Sequence, residues 1–154
     1  MSGIPYVHSD IGGFAENSRN EELLIRWAQL GVFSPIFRMY GDKNSPDLYQ
    51  CSQETQKIMR ELINLRYSLM PYIYTMAYQQ ATSGKPLVRP LMYVHDDHYL
   101  MDIYDMYYFG DNMLVAPILD PGATSRRVEL PFGQWINYYT GEVYSGGRSL
   151  EIPA

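Results

Sequence analysis

Four side chains sit where they could hold a ligand, two at the end of each of two short apolar runs. Asp10 follows Ile4-Pro5-Tyr6-Val7 and is succeeded by Ile11, the pair Gly12-Gly13, and Phe14. Arg38 and Tyr40 follow Val32-Phe33-Ser34-Pro35-Ile36-Phe37. A glycine pair permits positive φ and a sharp turn directly after the acid. An acid at the carboxyl end of a strand in an α/β sheet faces the mouth where ligands bind. A carboxylate, a guanidinium, a phenol and an aromatic wall together can grip a neutral polyol through hydrogen bonds and ring contact. Two plainer readings stand beside this one. Asp10 can cap its own turn, or it can pair with Arg38 and fix two neighbouring strand ends. The second is compatible with ligand binding, because such a pair would also orient Asp10.

The elements that would carry these residues read as strand, helix, strand. Ser18-Arg19-Asn20-Glu21 has the form of a helix-start capping box. Leu23, Leu24, Trp27 and Leu30 follow at helical spacing, and Gly31 is placed to end the helix. The two apolar runs are then parallel strands of a βαβ unit, with Pro35 tolerated as a strand start or bulge. A polar loop from Asp42 to Ser52 leads into a long helix with Ile58, Leu62, Leu65 and Leu69 on one face. Pro71 should kink it, and Ser83-Gly84-Lys85-Pro86 should stop it. Beyond Leu87 the pattern changes to short strands: 113–118, 126–130, 134–139 and 149–152, with a turn at Thr140-Gly141. That spacing predicts an antiparallel sandwich and a domain boundary near Gly84. Two parallel strands do not make a closed sheet, so the chain reads as a slice of something larger.

The remaining chemistry-bearing residues are less telling. His95-Asp96-Asp97-His98 matches no zinc spacing and reads as a solvated loop. Gly110-Asp111-Asn112 reads as a turn. Cys51, the single cysteine, has no evident partner base and excludes an internal disulfide. No phosphate loop or Gly-x-Ser-x-Gly elbow occurs. The 154 residues are 46% hydrophobic and 19% charged, enough to bury a core. A net charge of −5 without a basic stripe speaks against a nucleic-acid partner. No apolar run is long enough to span a membrane, and the first residues lack the pattern of a secretory signal. The 15 tyrosines suit sugar contacts, and equally suit half-wet strands and interfaces.

The chain resembles glycoside hydrolase family 31, the α-glucosidases and α-xylosidases. The resemblance rests on His8-Ser9-Asp10-Ile11-Gly12-Gly13-Phe14, on Glu22-Leu23 with Arg26-Trp27, on the stretch from Gln29 to Pro35, and on Arg38. It continues through Leu65-Arg66-Tyr67, Leu69-Met70-Pro71-Tyr72-Ile73-Tyr74-Thr75, Gly84-Lys85-Pro86 and Arg89-Pro90-Leu91. It ends with the stretch from Gly110 to Pro117, Leu130-Pro131, Gly133-Gln134-Trp135, Thr140-Gly141 and Gly146-Gly147.

That resemblance implies a fold of class α/β plus all-β. Residues 1–84 would be the C-terminal portion of a (β/α)8 barrel, from about its seventh strand. Residues 85–154 would be part of the proximal antiparallel β-sandwich. The family is retaining and uses two Asp residues; both would lie upstream, so the isolated chain is expected to be inactive and to contain no catalytic residue. Asp10, Phe14, Arg38 and Tyr40 would line the sugar subsite. No cofactor or metal is implied. The partners would be an oligosaccharide or glycoside substrate and the upstream barrel segment, with no nucleic acid and no membrane. The alternative is a sugar-binding or structural module without turnover. One departure stands out: the family usually has Arg-x-His where this chain has Arg38-Met39-Tyr40, and Asn44-Ser45-Pro46-Asp47-Leu48-Tyr49 replaces the Pro-Trp that often follows.

Overall fold

A computed structural model describes residues 4–14, 20–41 and 47–153. Helix α1 (Glu21–Val32) starts at Asn20, whose extended backbone lets its side chain accept from the Leu23 amide at 3.1 Å. Ser18, the expected cap, lies outside the described residues. Gly31 does not end α1. The helix runs one residue further, and its last turn packs tightly enough that a Cβ on Gly31 would stand 2.5 Å from Ile11 Cδ1 and 3.1 Å from Phe37. Glycine there serves close approach, not termination.

The two expected parallel strands shrink to one bridge, Ile11 opposite Met39, with the Ile11 amide donating to the Arg38 carbonyl at 3.2 Å. Ile4, Tyr6 and Val7 are exposed, and no ladder holds them, so the buried strand expected at residues 4–7 is absent. The second run fails as a strand for a different reason. Val32 still belongs to α1, and Arg66 takes the neighbouring carbonyls: Val32 at 2.7 Å, Ser34 at 2.5 Å and Pro35 at 2.9 Å. Those acceptors would otherwise serve a ladder, and Pro35 offers no amide to one.

The helical segment after the loop is two helices, α2 (Gln53–Ser68) and α3 (Met70–Ser83), and not one kinked helix. Ser52 caps α2, accepting from the Thr55 amide at 3.2 Å. Pro71 cannot donate to the Tyr67 carbonyl, and the Leu69 amide reaches back to Leu65 and Tyr67 instead. Pro71 thus occupies the first turn of α3, where its missing donor costs nothing. Leu69 is buried while Leu62 and Leu65 are only partly so; Met59 and Thr55 are the fully covered residues of α2. Gly84, at φ 76°, closes α3 where the sequence placed its stop.

The remainder is antiparallel. β1 (Val88–Pro90), β2 (Tyr107–Phe109) and β3 (Met113–Val115) form one sheet in that order. A short helix, α4 (Leu91–Val94), follows β1. β4 (Ser125–Leu130) pairs with β7 (Arg148–Pro153), and β5 (Gln134–Ile136) with β6 (Val143–Ser145). The four expected strands are present, β3 and β5 shorter than expected, β4 longer by one residue and β7 by one at each end; β1, β2 and β6 carried no alternating signal. Gly110-Asp111-Asn112 is the turn of the β2–β3 hairpin, seated on α3. Tyr72 donates to the Phe109 carbonyl at 2.9 Å and accepts from the Asn112 amide at 3.2 Å. One core cluster, with Val32, Leu69, Ile73, Met76, Leu87, Phe109 and Val115, runs from the helices into this sheet. A second joins Leu91, Leu100, Met106 and Tyr108 to Val128 and Leu130 of β4.

Glu21 straps α1 to α2. Its carboxylate accepts from the Ser52 amide at 2.9 Å, from the Ser52 hydroxyl at 2.5 Å and from the Thr55 hydroxyl. These bonds, the Ser52 hydroxyl foremost, hold its pKa below the ordinary Glu value. A carboxyl depressed by folding stabilises above its unfolded pKa of about 4.3, and that contribution fades as pH falls through the folded value. Glu21→Gln should therefore lower the urea midpoint at pH 7, and the gap from the parent chain should be narrower at pH 3. A gap of equal size at both pH values would assign the strap to shape and not to charge.

Candidate functional site

Ile11 is the anchor of the site. It is 1% exposed, packed with Leu24 and Ala28 of α1 and Met59 of α2, with Phe37 and Met39 alongside. Its bridge to Met39 fixes two chain ends side by side: Asp10 precedes it, Arg38 and Tyr40 flank its partner. The chain then turns through Gly12 and Gly13, at φ 96° and 92°, with the Gly13 amide donating to the Asp10 carbonyl at 3.2 Å. Residues with a Cβ are strained in that conformation, which is why two glycines follow the acid. The turn delivers Phe14 to the same surface.

There the structure brings three of the four expected residues together. The rings of Phe14 and Tyr40 lie 5.8 Å apart, tilted by 34°. The Arg38 guanidinium carbon sits 4.2 Å over the Tyr40 ring, a cation–π contact that does not consume its N–H donors. Phe14 and Tyr40 are about half exposed, at 52% and 47%, and form an open aromatic platform. Asp10 does not join Arg38. Among the described ion pairs its carboxylate meets only His8, with Nδ1 at 3.8 Å. The plainer reading of an Asp10–Arg38 pair is not met among the described residues: the guanidinium is engaged by the Tyr40 ring.

Two supporting residues were missed in the sequence. His8 lies two positions before Asp10, and in an extended chain residues i and i+2 share a face; that spacing was the available signal. Ser9 accepts from Trp27 Nε1 of α1 at 2.6 Å, which pins the segment carrying Asp10 to the helix. His95, by contrast, meets the Tyr108 hydroxyl at 2.7 Å, with its ring tilted by 34° against the tyrosine ring. Among the described residues no group of three His, Cys, Asp or Glu side chains could hold a metal ion. No described helix is long and apolar enough to cross a membrane.

The arrangement suits hydrogen-bonded capture of a polyol against an aromatic face. It supplies one carboxylate, whereas retaining glycoside cleavage needs two about 5–5.5 Å apart.

Residues 1–76 match the family model described as the glycosyl hydrolases family 31 TIM-barrel domain, and residues 84–154 match that of the family 31 C-terminal domain. The chain belongs to glycoside hydrolase family 31. It is 38% identical to "Alpha-glucosidase 2" of Bacillus thermoamyloliquefaciens, an alignment covering 100% of this chain and 20% of that protein. A family 31 α-xylosidase from a soil metagenome, solved with xylose, superposes with a TM-score of 0.89 at 33% identity, over 99% of this chain and 26% of its own. A Flavobacterium johnsoniae family 31 dextranase, solved with glucose, gives 0.92 at 31% identity, over 99% and 20%. The chain thus spans about a fifth of the curated relative's length. The fold is a portion of a (β/α)8 barrel followed by an antiparallel sandwich, as the sequence implied.

The close approach of α1 to Ile11 gives a direct test. Gly31→Ala gains about 1 kcal/mol of helix propensity but crowds a filled core, which typically costs about 1–3 kcal/mol. Net destabilisation by denaturant titration is expected, with partial recovery in Gly31→Ala/Ile11→Val. A stabilised single variant would show that the contact has room to give.

Proposed function

We propose that this chain is the part of a retaining α-glycosidase that supplies one side of the sugar subsite and the sandwich bracing the barrel, with Gly84 as the boundary between the two. The observation that carries the proposal is the platform of Phe14, Tyr40 and Arg38 beside Asp10, held by the Ile11–Met39 bridge. Asp10 accepts from sugar hydroxyls, Arg38 donates to them, and Phe14 walls the ring. The substrate class is a terminal α-linked glucose- or xylose-type sugar. The two catalytic acids come from another segment of the enzyme. Further support comes from the bare faces of the barrel portion: residues 4–7 have no strand neighbours among the described residues, and Tyr67, Tyr74 and Tyr78 project from the helices at 73%, 77% and 66% exposure. A ring of eight strands and eight helices would cover such surfaces.

Tyr40 is the specificity element in this reading. Its phenol offers a hydroxyl farther from the backbone than an imidazole would. In the complete enzyme, Tyr40→His should shift the ratio of kcat/KM on aryl α-glucoside and α-xyloside by about tenfold or more, the worth of one discriminating hydrogen bond of roughly 1.4 kcal/mol. Its melting temperature should hardly move, because the ring is half exposed. Asp10→Asn should depress both substrates together. An unchanged ratio in Tyr40→His would place the ring outside the subsite.

A further inference from the structure

The carboxylate of Asp10 has no firm grip of its own. Among the described residues it meets only His8, at 3.8 Å, beyond hydrogen-bond length. Its aim is therefore set by the residues on either side. Side chains of an extended segment alternate between two faces. His8 and Asp10 meet on one, while Ser9 and Ile11 turn to α1 on the other. Ile11 is held twice, by packing against Leu24 and Ala28 and by its bridge to Met39. Ser9 is exposed, and its tie among the described residues is the hydrogen bond it accepts from Trp27 Nε1 at 2.6 Å.

Trp27 is placed to be a fixed post for that bond. Leu24, Trp27, Ala28 and Gly31 recur at helical spacing and share the face of α1 that receives this segment. Trp27 carries the one side-chain donor of the four. Its ring packs on the cluster of Ile11, Leu24 and Met59. The same stretch of α1 is tied elsewhere to the segment between β3 and β4. Glu22 accepts from the Gly122 amide at 2.6 Å, and Arg26 donates to the Ala123 carbonyl at 3.0 Å.

We propose that Trp27 and Ser9 are positioning residues for the sugar site. Their hydrogen bond is the second of two anchors that aim Asp10, and both residues act through that carboxylate. This rests on the reading of Asp10 as an acceptor for sugar hydroxyls. With Ser9 released, Asp10 is held from the Ile11 side alone. A displacement of about 1 Å in a group that must meet its substrate can cost as much as about 10²-fold. The stability at stake is small, because an exposed hydrogen bond exchanges for one to water.

The test is a set of variants in the complete enzyme, read by kcat/KM on an aryl α-glycoside and by melting temperature. Ser9→Ala should lower kcat/KM by about tenfold with its melting temperature close to the parent's. Ser9→Thr keeps the acceptor and should keep the activity. Trp27→Phe keeps a ring but loses the donor, so it should match Ser9→Ala, and the double variant should be no worse than either. In an Asp10→Ala background Ser9→Ala should cost nothing further, since the group it aims is gone. Losses that multiply in that background would overturn the proposal, because Ser9 would then act by another route. So would a loss in Ser9→Ala that follows a fall in melting temperature and is not rescued by Ser9→Thr. Unchanged activity in Ser9→Ala alongside a clear loss in Asp10→Ala would overturn the anchor and leave the sugar subsite standing. Full activity in Asp10→Ala would overturn both.

Discussion

The guanidinium of Arg66 holds the barrel portion together. From α2 it reaches three carbonyls at the end of α1 and the start of the segment leading to Arg38. The last carbonyls of a helix have no partner of their own, and this end is not solvated freely, since Val32 and Pro35 are buried. A charge-assisted donor with a planar fork can satisfy several acceptors at once, which a lysine cannot. Burial lowers the pKa of Arg66, yet a guanidinium stays charged throughout the accessible range. The clamp fixes where the chain leaves α1 and therefore where Met39 meets Ile11.

From that point the site follows mechanically. The clamp and the glycine at position 31 bring α1, Phe37 and Ile11 into one packed unit. The bridge between Ile11 and Met39 then sets Asp10 beside the end that bears Arg38 and Tyr40. A binding surface made of exposed rings gains precision only if its backbone is held by buried groups, and here the buried groups are Ile11, Leu24, Ala28 and Met59. The same logic links the two parts of the chain. Tyr72 of α3 grips the β2–β3 turn, and Gly110 must be glycine because a Cβ would collide with the Tyr72 hydroxyl. The sandwich portion is thereby registered against α3.

Much of this was legible in the residues. The stop at Gly84, the turn at Gly110 and the short antiparallel strands of the second half follow from local chemistry. Helix propensity and turn residues act over a few positions, so a single sequence carries them. What misled were features decided at a distance. Gly31 looks like a helix stop until Ile11 is seen pressed against it. Residues 32–37 look like a strand until Arg66, thirty residues on, claims their carbonyls. Residues 4–7 have a strand's composition but no neighbours to pair with, and a strand is a property of its pairing. Asp10 and Arg38 have opposite charges and adjacent positions, yet the aromatic ring of Tyr40 wins the guanidinium.

The central claim is that this chain furnishes binding and bracing surface to a reaction whose acids lie elsewhere. Aryl α-glucoside and α-xyloside assays on the purified 154-residue chain test it most directly. The account predicts no turnover above buffer, since retaining cleavage needs two carboxylates about 5–5.5 Å apart and the described platform supplies only Asp10. Turnover well above buffer that disappears in Asp10→Asn would contradict it and make Asp10 a catalytic residue.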